Sequence, residues 1–287
     1  MKILVTGATG QLGSKVAESL LKLIPASDLA VSVRDTQKAS ALKERGVDVR
    51  HGDFTRPETL DQAFTGIDRL LIISSEGDDE SRLRQHSAAI DAAVRANVKF
   101  IAYTSVVNAE HSTIVMAPLH RATEELIIKT GIPYSFLRNN WYTENELSIV
   151  KGVLAGAPWV TSAGAGKVGY ALRQDYAEAA AAVLAGSGHE NTIYELSGLL
   201  VSQDEYAATL GEVLGREVPV KHVDDEAYAQ FLQEGGLPPF IVELFVRILR
   251  DTREGALEVP SDDFIKLIGR PATPLKEAIS LIVNEIA

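Results

Sequence analysis

Val5-Thr6-Gly7-Ala8-Thr9-Gly10-Gln11-Leu12-Gly13 decides the reading of this chain. The apolar run Ile3-Leu4-Val5 opens it, and a helix-like stretch, Ser14 to Leu23, follows. Strand, glycine turn and helix in that order form the start of a dinucleotide-binding unit. Glycines let the chain turn tightly and let a pyrophosphate approach the backbone. The first N–H groups of the helix lack internal partners, and its dipole favours an anion. The spacing is G-x-x-G-x-x-G, so the triplet alone says little. Its place between strand and helix makes it informative. Thr6, Gly7, Ala8, Thr9, Gly10, Gln11 and Leu12 are the residues expected to cradle such a cofactor.

Downstream, apolar runs alternate with helical patterns. Strands are expected at Leu29 to Val33, Val47 to Arg50, Arg69 to Ile73, Phe100 to Tyr103 and Tyr134 to Leu137. Helices are expected at Thr36 to Arg45, Pro57 to Phe64, Arg82 to Ala96 and Leu119 to Lys129. Continuous apolar strands mark a sheet buried on both faces. Repeated βα units imply an α/β fold, a Rossmann-type doubly wound parallel sheet with right-handed crossovers. Its ligands bind at the carboxyl ends of the strands. Beyond residue 145 the pattern becomes irregular. An alanine-rich helix, Gln174 to Ala185, precedes short strands (Thr192 to Leu196, Val218 to Lys221) and helices (Gln203 to Leu214, Asp225 to Gln233, Phe240 to Leu249). The expected division is a cofactor domain over 1–145, with a returning segment at about 168–185, and a smaller α/β substrate lobe over 146–287.

Composition bounds the partners. With 28 basic and 39 acidic residues the net charge is −11, which argues against nucleic acid or an anionic membrane surface as partner. The absence of cysteine excludes disulfides, thiolate zinc sites and a cysteine nucleophile. No apolar run approaches the roughly 18 residues of a membrane span. The expectation is a soluble, cytoplasmic protein, and an exposed apolar helix face would allow a homodimer.

The strand ends carry the chemistry. Arg34 ends the second strand, where an acidic residue would bond the ribose 2′-hydroxyl of NAD and an arginine pairs with the 2′-phosphate of NADP. NADP is therefore favoured, with NADPH preferred over NADH. Asp35 would oppose this if its carboxylate faced the ribose; the alternative is a solvated Arg34-Asp35 pair. Asp53 is placed either to accept a bond from the adenine amino group or to hold a turn. Ser74 and Ser75 follow the fourth strand, beside the cofactor's ribose and phosphates. Tyr103 and Ser105 end the fifth strand at the level of the nicotinamide. A Tyr-x-x-x-Lys proton-donor pair is missing from the next helix, which reads His120-Arg121-Ala122-Thr123-Glu124. His120 and Glu124 share a face, but two ligands are too few for zinc, and no metal is expected. His120 is either a hydrogen-bonded structural histidine or a residue at the substrate.

Arg138-Asn139-Asn140-Trp141-Tyr142-Thr143-Glu144-Asn145 follows the sixth strand. Asparagines there suit the nicotinamide carboxamide, and aromatic rings suit a flat substrate. A capped helix start, with Thr143 as N-cap and Glu146 at N3, is compatible with that role. The candidate catalytic residues are Tyr103, Ser105, His120, Asn140 and Tyr142.

These segments together, with Leu267-Ile268-Gly269 and Thr273-Pro274-Leu275 near the C-terminus, resemble the atypical short-chain dehydrogenases of the NmrA-like group, nearly end to end. The resemblance implies NADPH held by Thr6 to Gln11, Arg34, the Ser74-Ser75 region, and Arg138, Asn139, Asn140, Trp141, Tyr142 and Thr143. It also implies an open cleft for a quinone or dye. Such acceptors delocalise or neutralise the incoming charge, so positioning does most of the work and a strong general acid is less necessary. The Glu76-Gly77-Asp78-Asp79-Glu80 stretch departs from the expected pattern. Two functions follow. One is NADPH-dependent hydride transfer to a quinone or similar flat acceptor, a triphenylmethane dye included. The other is an NmrA-like NADP(H)-binding redox sensor without turnover.

Overall fold

A computed structural model of the chain describes residues 1–286. β1 (Ile3–Thr6), α1 (Gln11–Leu20), β2 (Leu29–Val33), α2 (Ser40–Glu44), β3 (Asp48–His51), α3 (Glu58–Phe64), β4 (Arg69–Ile72), α4 (Asp79–Arg95), β5 (Phe100–Val106), α5 (Ala117–Lys129) and β6 (Tyr134–Asn139) form the first half. The second half holds α6 (Leu147–Leu154), β7 (Trp159–Thr161), β8 (Lys167–Gly169), α7 (Arg173–Ala185), β9 (Thr192–Leu196), β10 (Leu200–Ser202), α8 (Gln203–Leu214), β11 (Val220–His222), α9 (Asp225–Glu234), α10 (Pro239–Arg253), α11 (Asp263–Ile268) and α12 (Leu275–Ile286).

Seven strands pair in the order β3-β2-β1-β4-β5-β6-β9, every pair parallel. Successive strand residues point to opposite faces, and both faces are covered. Val5, Val31, Leu71, Ala102 and Leu137 enter the core under α1 and α7. Their neighbours Leu4, Ala30, Leu70, Ile101 and Phe136 enter the core under α3, α4 and α5. Alanines 177, 179, 180 and 181 are buried on α7, and their small side chains let it lie close against α1. The polar ends of all these strands therefore meet at one edge. No described helix is long and apolar enough to cross a membrane.

Several elements differ from expectation. Thr192–Leu196 was expected in the second lobe, yet it pairs with β6 as the seventh strand, with Arg138 opposite Glu195. The first helix starts at Gln11, directly after the turn, and ends at Leu20 rather than Leu23. Pro25 disfavours helix in the residue before it. The Thr36–Arg45 helix splits into a 3₁₀ turn, Thr36–Ala39, and α2, because Asp35 caps the 3₁₀ turn through the Gln37 N–H. β5 and β6 run on to Val106 and Asn139, so Ser105 and Arg138 lie within strands, opposite each other.

Candidate active site

Gly7 sits at φ +61°, and its N–H donates to Ser32 O. The Gly10 N–H donates to Gly7 O at 2.9 Å, closing the turn. Gly10 precedes α1 with extended backbone and no side-chain cap, so the first N–H groups of the helix open towards the turn. Gly13 permits the close approach: a Cβ there would lie 2.3 Å from Gly7 O. Thr9, Gly10 and Gln11 are exposed along this cradle, while Ala8 and Leu12 are buried. The Thr6 hydroxyl is spent internally. It donates to Leu71 O and accepts from the Ile73 N–H, fastening β1 to β4.

Arg34 is exposed at the end of β2 and makes no hydrogen bond or ion pair among the described residues. The Asp35 carboxylate is turned to its own 3₁₀ cap at 3.0 Å from the Gln37 N–H. Asp53 accepts from the Thr55 N–H and hydroxyl, the turn arrangement. Burial works against its charge, but the Thr55 bonds and the Arg56 and Arg34 charges outweigh it and lower the pKa.

Ser74 and Ser75 are held from behind by a buried network. The Ser75 N–H donates to His86 Nε2 at 3.0 Å, and the Ser74 N–H to Thr104 Oγ1. Since His86 Nε2 accepts, its proton sits on Nδ1 and goes to Thr123 Oγ1, which donates to Leu119 O. Burial and then the Arg82 charge lower His86 to about 4, so the ring stays neutral. Arg82 donates to Ser74 Oγ, and its buried Nε has no partner among the described residues. Tyr103 is fully buried, with its hydroxyl 2.9 Å from His120 Nδ1. Burial raises the tyrosine, and burial followed by the Arg82 and His86 charges lowers His120 to about 3. Both are neutral members of a closed network.

Ser105 and Arg138 face α5. The Ser105 hydroxyl donates to Glu124 Oε1 at 2.6 Å, and Arg138 forms a fork on Glu124 at 2.9 and 2.7 Å. Its third nitrogen, Nη1, reaches Glu195 Oε1 at 3.0 Å. Burial opposes the guanidinium's charge, but the two carboxylates raise its pKa. The shared register of β5, β6 and β9 builds this row.

The segment after β6 is where buried polar atoms are left open. Asn139 Nδ2 donates to the Tyr142 hydroxyl, and Asn140 Nδ2 to Ser197 Oγ and Leu257 O. Their oxygens, and Thr143 Oγ1, are buried without partners among the described residues. Buried acceptors without partners are costly, and a ligand bringing N–H or O–H donors would satisfy them. A nicotinamide carboxamide and its ribose supply such donors; the glycine cradle suits a pyrophosphate. The residues present therefore fit a dinucleotide. Tyr142 is half-exposed, packs edge-on to Tyr176 at 5.0 Å, and carries the Arg173 guanidinium over its ring.

Thr143 does not cap a helix. The 3₁₀ turn Thr143–Glu146 has Tyr142 as N-cap with no side-chain bond, because the Glu146 carboxyl turns inward to the Trp141 indole N–H at 3.0 Å and the Tyr170 hydroxyl. Burial raises Glu146 to about 7 against those two bonds. The stability it contributes is therefore full below its ordinary value near 4.5 and lost as pH rises through about 7. Glu146→Gln is expected to stabilise the fold at pH 8 by about 3 kcal/mol relative to its effect at pH 4. Urea unfolding at the two pH values measures this; equal effects would refute a raised carboxyl.

His86, Arg82 and Glu195 enter the site from elements remote in sequence and carry no local motif that marks them. The acidic stretch at 76–80 has a local structural role. Asp78 there caps α4 through the Ser81 N–H at 2.9 Å, with Asp79 and Glu80 in the first turn, where the helix dipole favours them.

Residues 1–250 match the model of the NmrA-like family. Quinone oxidoreductase 2 of Escherichia coli (strain K12) is 39% identical over 283 residues, covering 98% of this chain and 99% of that protein. Its crystal structure in complex with NADPH superposes with a TM-score of 0.94, covering 98% of this chain and all of the other. Triphenylmethane reductase from Citrobacter sp., complexed with NADP(H), gives a TM-score of 0.94 at 41% identity, covering 98% of this chain and all of the other. With the family model matching residues 1–250 and full-length relatives at 39% and 41% identity, the chain belongs to the NmrA-like family.

Proposed function

We propose that this protein is an NADPH-dependent oxidoreductase that passes hydride directly to a quinone or a similar flat conjugated acceptor. The observation that carries the reading is one edge of the sheet. That edge carries the open N-terminus of α1, after β1, and, at the end of β6, the oxygens of Asn139, Asn140 and Thr143, which have no partner among the described residues. The relatives that reduce quinones and triphenylmethane dyes with NADPH support it over the whole length of the chain.

NADPH, when bound, supplies the hydride. The chain's residues hold and orient. The cradle from Gly7 to Leu12 would hold the pyrophosphate, and Arg34 the 2′-phosphate, with Asp35 turned away to its cap. The open oxygens of Asn139 and Asn140 would accept from the carboxamide and so orient it. Trp141 and Tyr142 give flat, half-exposed surfaces for the acceptor. Tyr103, His120, Ser105 and Arg138 act from behind this surface, keeping strand ends and loops in place. A quinone delocalises the charge it receives, so aligned reactants account for most of the rate.

The test is NADPH and NADH oxidation by the purified protein against quinones and cationic triphenylmethane dyes. Turnover with NADPH is expected. Arg34→Ala should weaken NADPH binding at least about tenfold, worth about 1.4 kcal/mol, and NADH binding little. Equal losses would remove Arg34 from the 2′-phosphate. NADPH binding without turnover on any acceptor would favour the redox-sensor reading.

A further inference from the structure

Three carboxyl groups are buried among the described residues: Glu124, Asp175 and Glu146. Glu124 has Arg138 and Asp175 has Arg270. Glu146 has no cation among the described residues. Its Oε1 receives the Trp141 indole N–H at 3.0 Å and the Tyr170 O–H at 3.3 Å. The Tyr170 oxygen accepts from Gln203 Nε2 at 2.7 Å, and Gln203 Oε1 accepts from the Trp159 indole N–H at 2.7 Å. Every donor in this chain points towards the one carboxyl, and its two ends are the two tryptophans of the sequence.

The surroundings offer nothing to neutralise it. Tyr170 precedes α7, Tyr206 comes from α8 and Tyr228 from α9; each feels the Glu146 charge, and each is a neutral phenol raised by burial. The Tyr206 hydroxyl is buried and has no partner among the described residues. Glu144, on the same turn, is paired with Arg173. α12 packs on the turn and on α6, and its buried residues are Ala278, Ile279 and Ile282. A carboxyl without a cation in such a place changes charge near neutral pH, at about 7. Its partner Trp141 is half-exposed and belongs to the segment assigned above to the acceptor.

We propose that Glu146 is a positioning residue for acceptor binding, its charge setting how firmly the Trp141 indole is held at the cleft. The ionised carboxylate accepts a charge-assisted bond, which is stronger and shorter than the bond to the neutral acid. The indole is therefore held tightly above neutral pH and loosened below it. The effect on acceptor affinity rests on the function proposed above; the coupling of Glu146 to Trp141 does not.

The experiment separates the two. In a Trp159→Phe background Trp141 is the sole tryptophan, and its emission is expected to titrate with a midpoint near 7. Glu146→Gln should abolish that titration. Tyr170→Phe should move the midpoint upwards, because the carboxylate loses a donor. With a water-soluble naphthoquinone sulfonate as acceptor, the wild-type quinone KM should rise several-fold from pH 8 to pH 6. It should stay flat in Glu146→Gln, while the NADPH KM changes little in either. An indole titration that persists in Glu146→Gln overturns the proposal, and so does a flat quinone KM in the wild type. A protein inert to quinone at every pH refutes the proposed function and the affinity half of this inference, and the emission titration still decides the Glu146–Trp141 half.

Discussion

Gly13→Ala is expected to lower NADPH affinity at least roughly 100-fold, about 2.7 kcal/mol. The added Cβ would lie 2.3 Å from Gly7 O, 2.8 Å from Gly7 C and 2.9 Å from Ala8 Cα. All three are backbone atoms of the turn, so no rotamer change relieves the clash. Either α1 moves off the turn or the turn opens, and both displace the N–H groups that would face a pyrophosphate. Because Leu12, Val16, Ala17 and Leu20 are buried on the same helix, the shift also disturbs packing, at about 1–3 kcal/mol. Gly10 provides the contrast. Its Cβ would meet Gly7 O at 3.2 Å, a far milder contact. Gly10→Val should therefore keep most of the stability and lose binding by filling the cradle. Titration of NADPH and thermal melts of both variants distinguish the cases. An unchanged NADPH Kd in Gly13→Ala would refute the placement of the cofactor on this turn.

Arg138→Leu is expected to cost about 3–5 kcal/mol of stability, because it strands a buried carboxylate. Arg138 closes the row from Glu124 to Glu195 and is itself only 6% exposed. Without it Glu124 keeps only the Ser105 hydroxyl as partner. Removing both charges, as in Arg138→Leu with Glu124→Leu, should recover a large part of the loss, since apolar replacements of a buried pair are often tolerated. Urea unfolding of the single and double variants measures this. A single-variant loss below about 1 kcal/mol would show that water reaches the pair and screens it.

Much of the fold was legible because its signals are local. Glycine spacing between an apolar run and a helical pattern marks a turn whose geometry only such residues permit. Both-face burial makes Leu70-Leu71-Ile72 of β4 a continuous apolar run, and β2 nearly one with Ser32 alone polar, so both stand out from polar surroundings. The candidate site was legible where a strand end is also a sequence landmark, as for Arg34, Ser74 and the Asn139–Tyr142 segment. A partner distant in sequence leaves no local signal. β5 runs past Tyr103 and Ser105, and their hydroxyls meet His120 and Glu124 from α5. Thr143 and Glu146 have the spacing of a capping box, but the glutamate turns inward to the Trp141 indole N–H and the buried Tyr170 hydroxyl.

Local signals in the chain suffice for the order of strands and helices up to β6, for the position of the glycine cradle and for the arginine after β2. Each follows from backbone sterics, periodicity and the residue types that a turn or strand end admits. By contrast, α6, β7, β8, β10, α11 and α12 carry no such signal. Long-range packing sets the rest: Thr192–Leu196 joins the main sheet, Asp35 turns away from Arg34, and some polar side chains are left open among the described residues. These depend on which groups come within about 3 Å of one another across tens of residues, because a buried donor or acceptor takes whatever partner the packing brings.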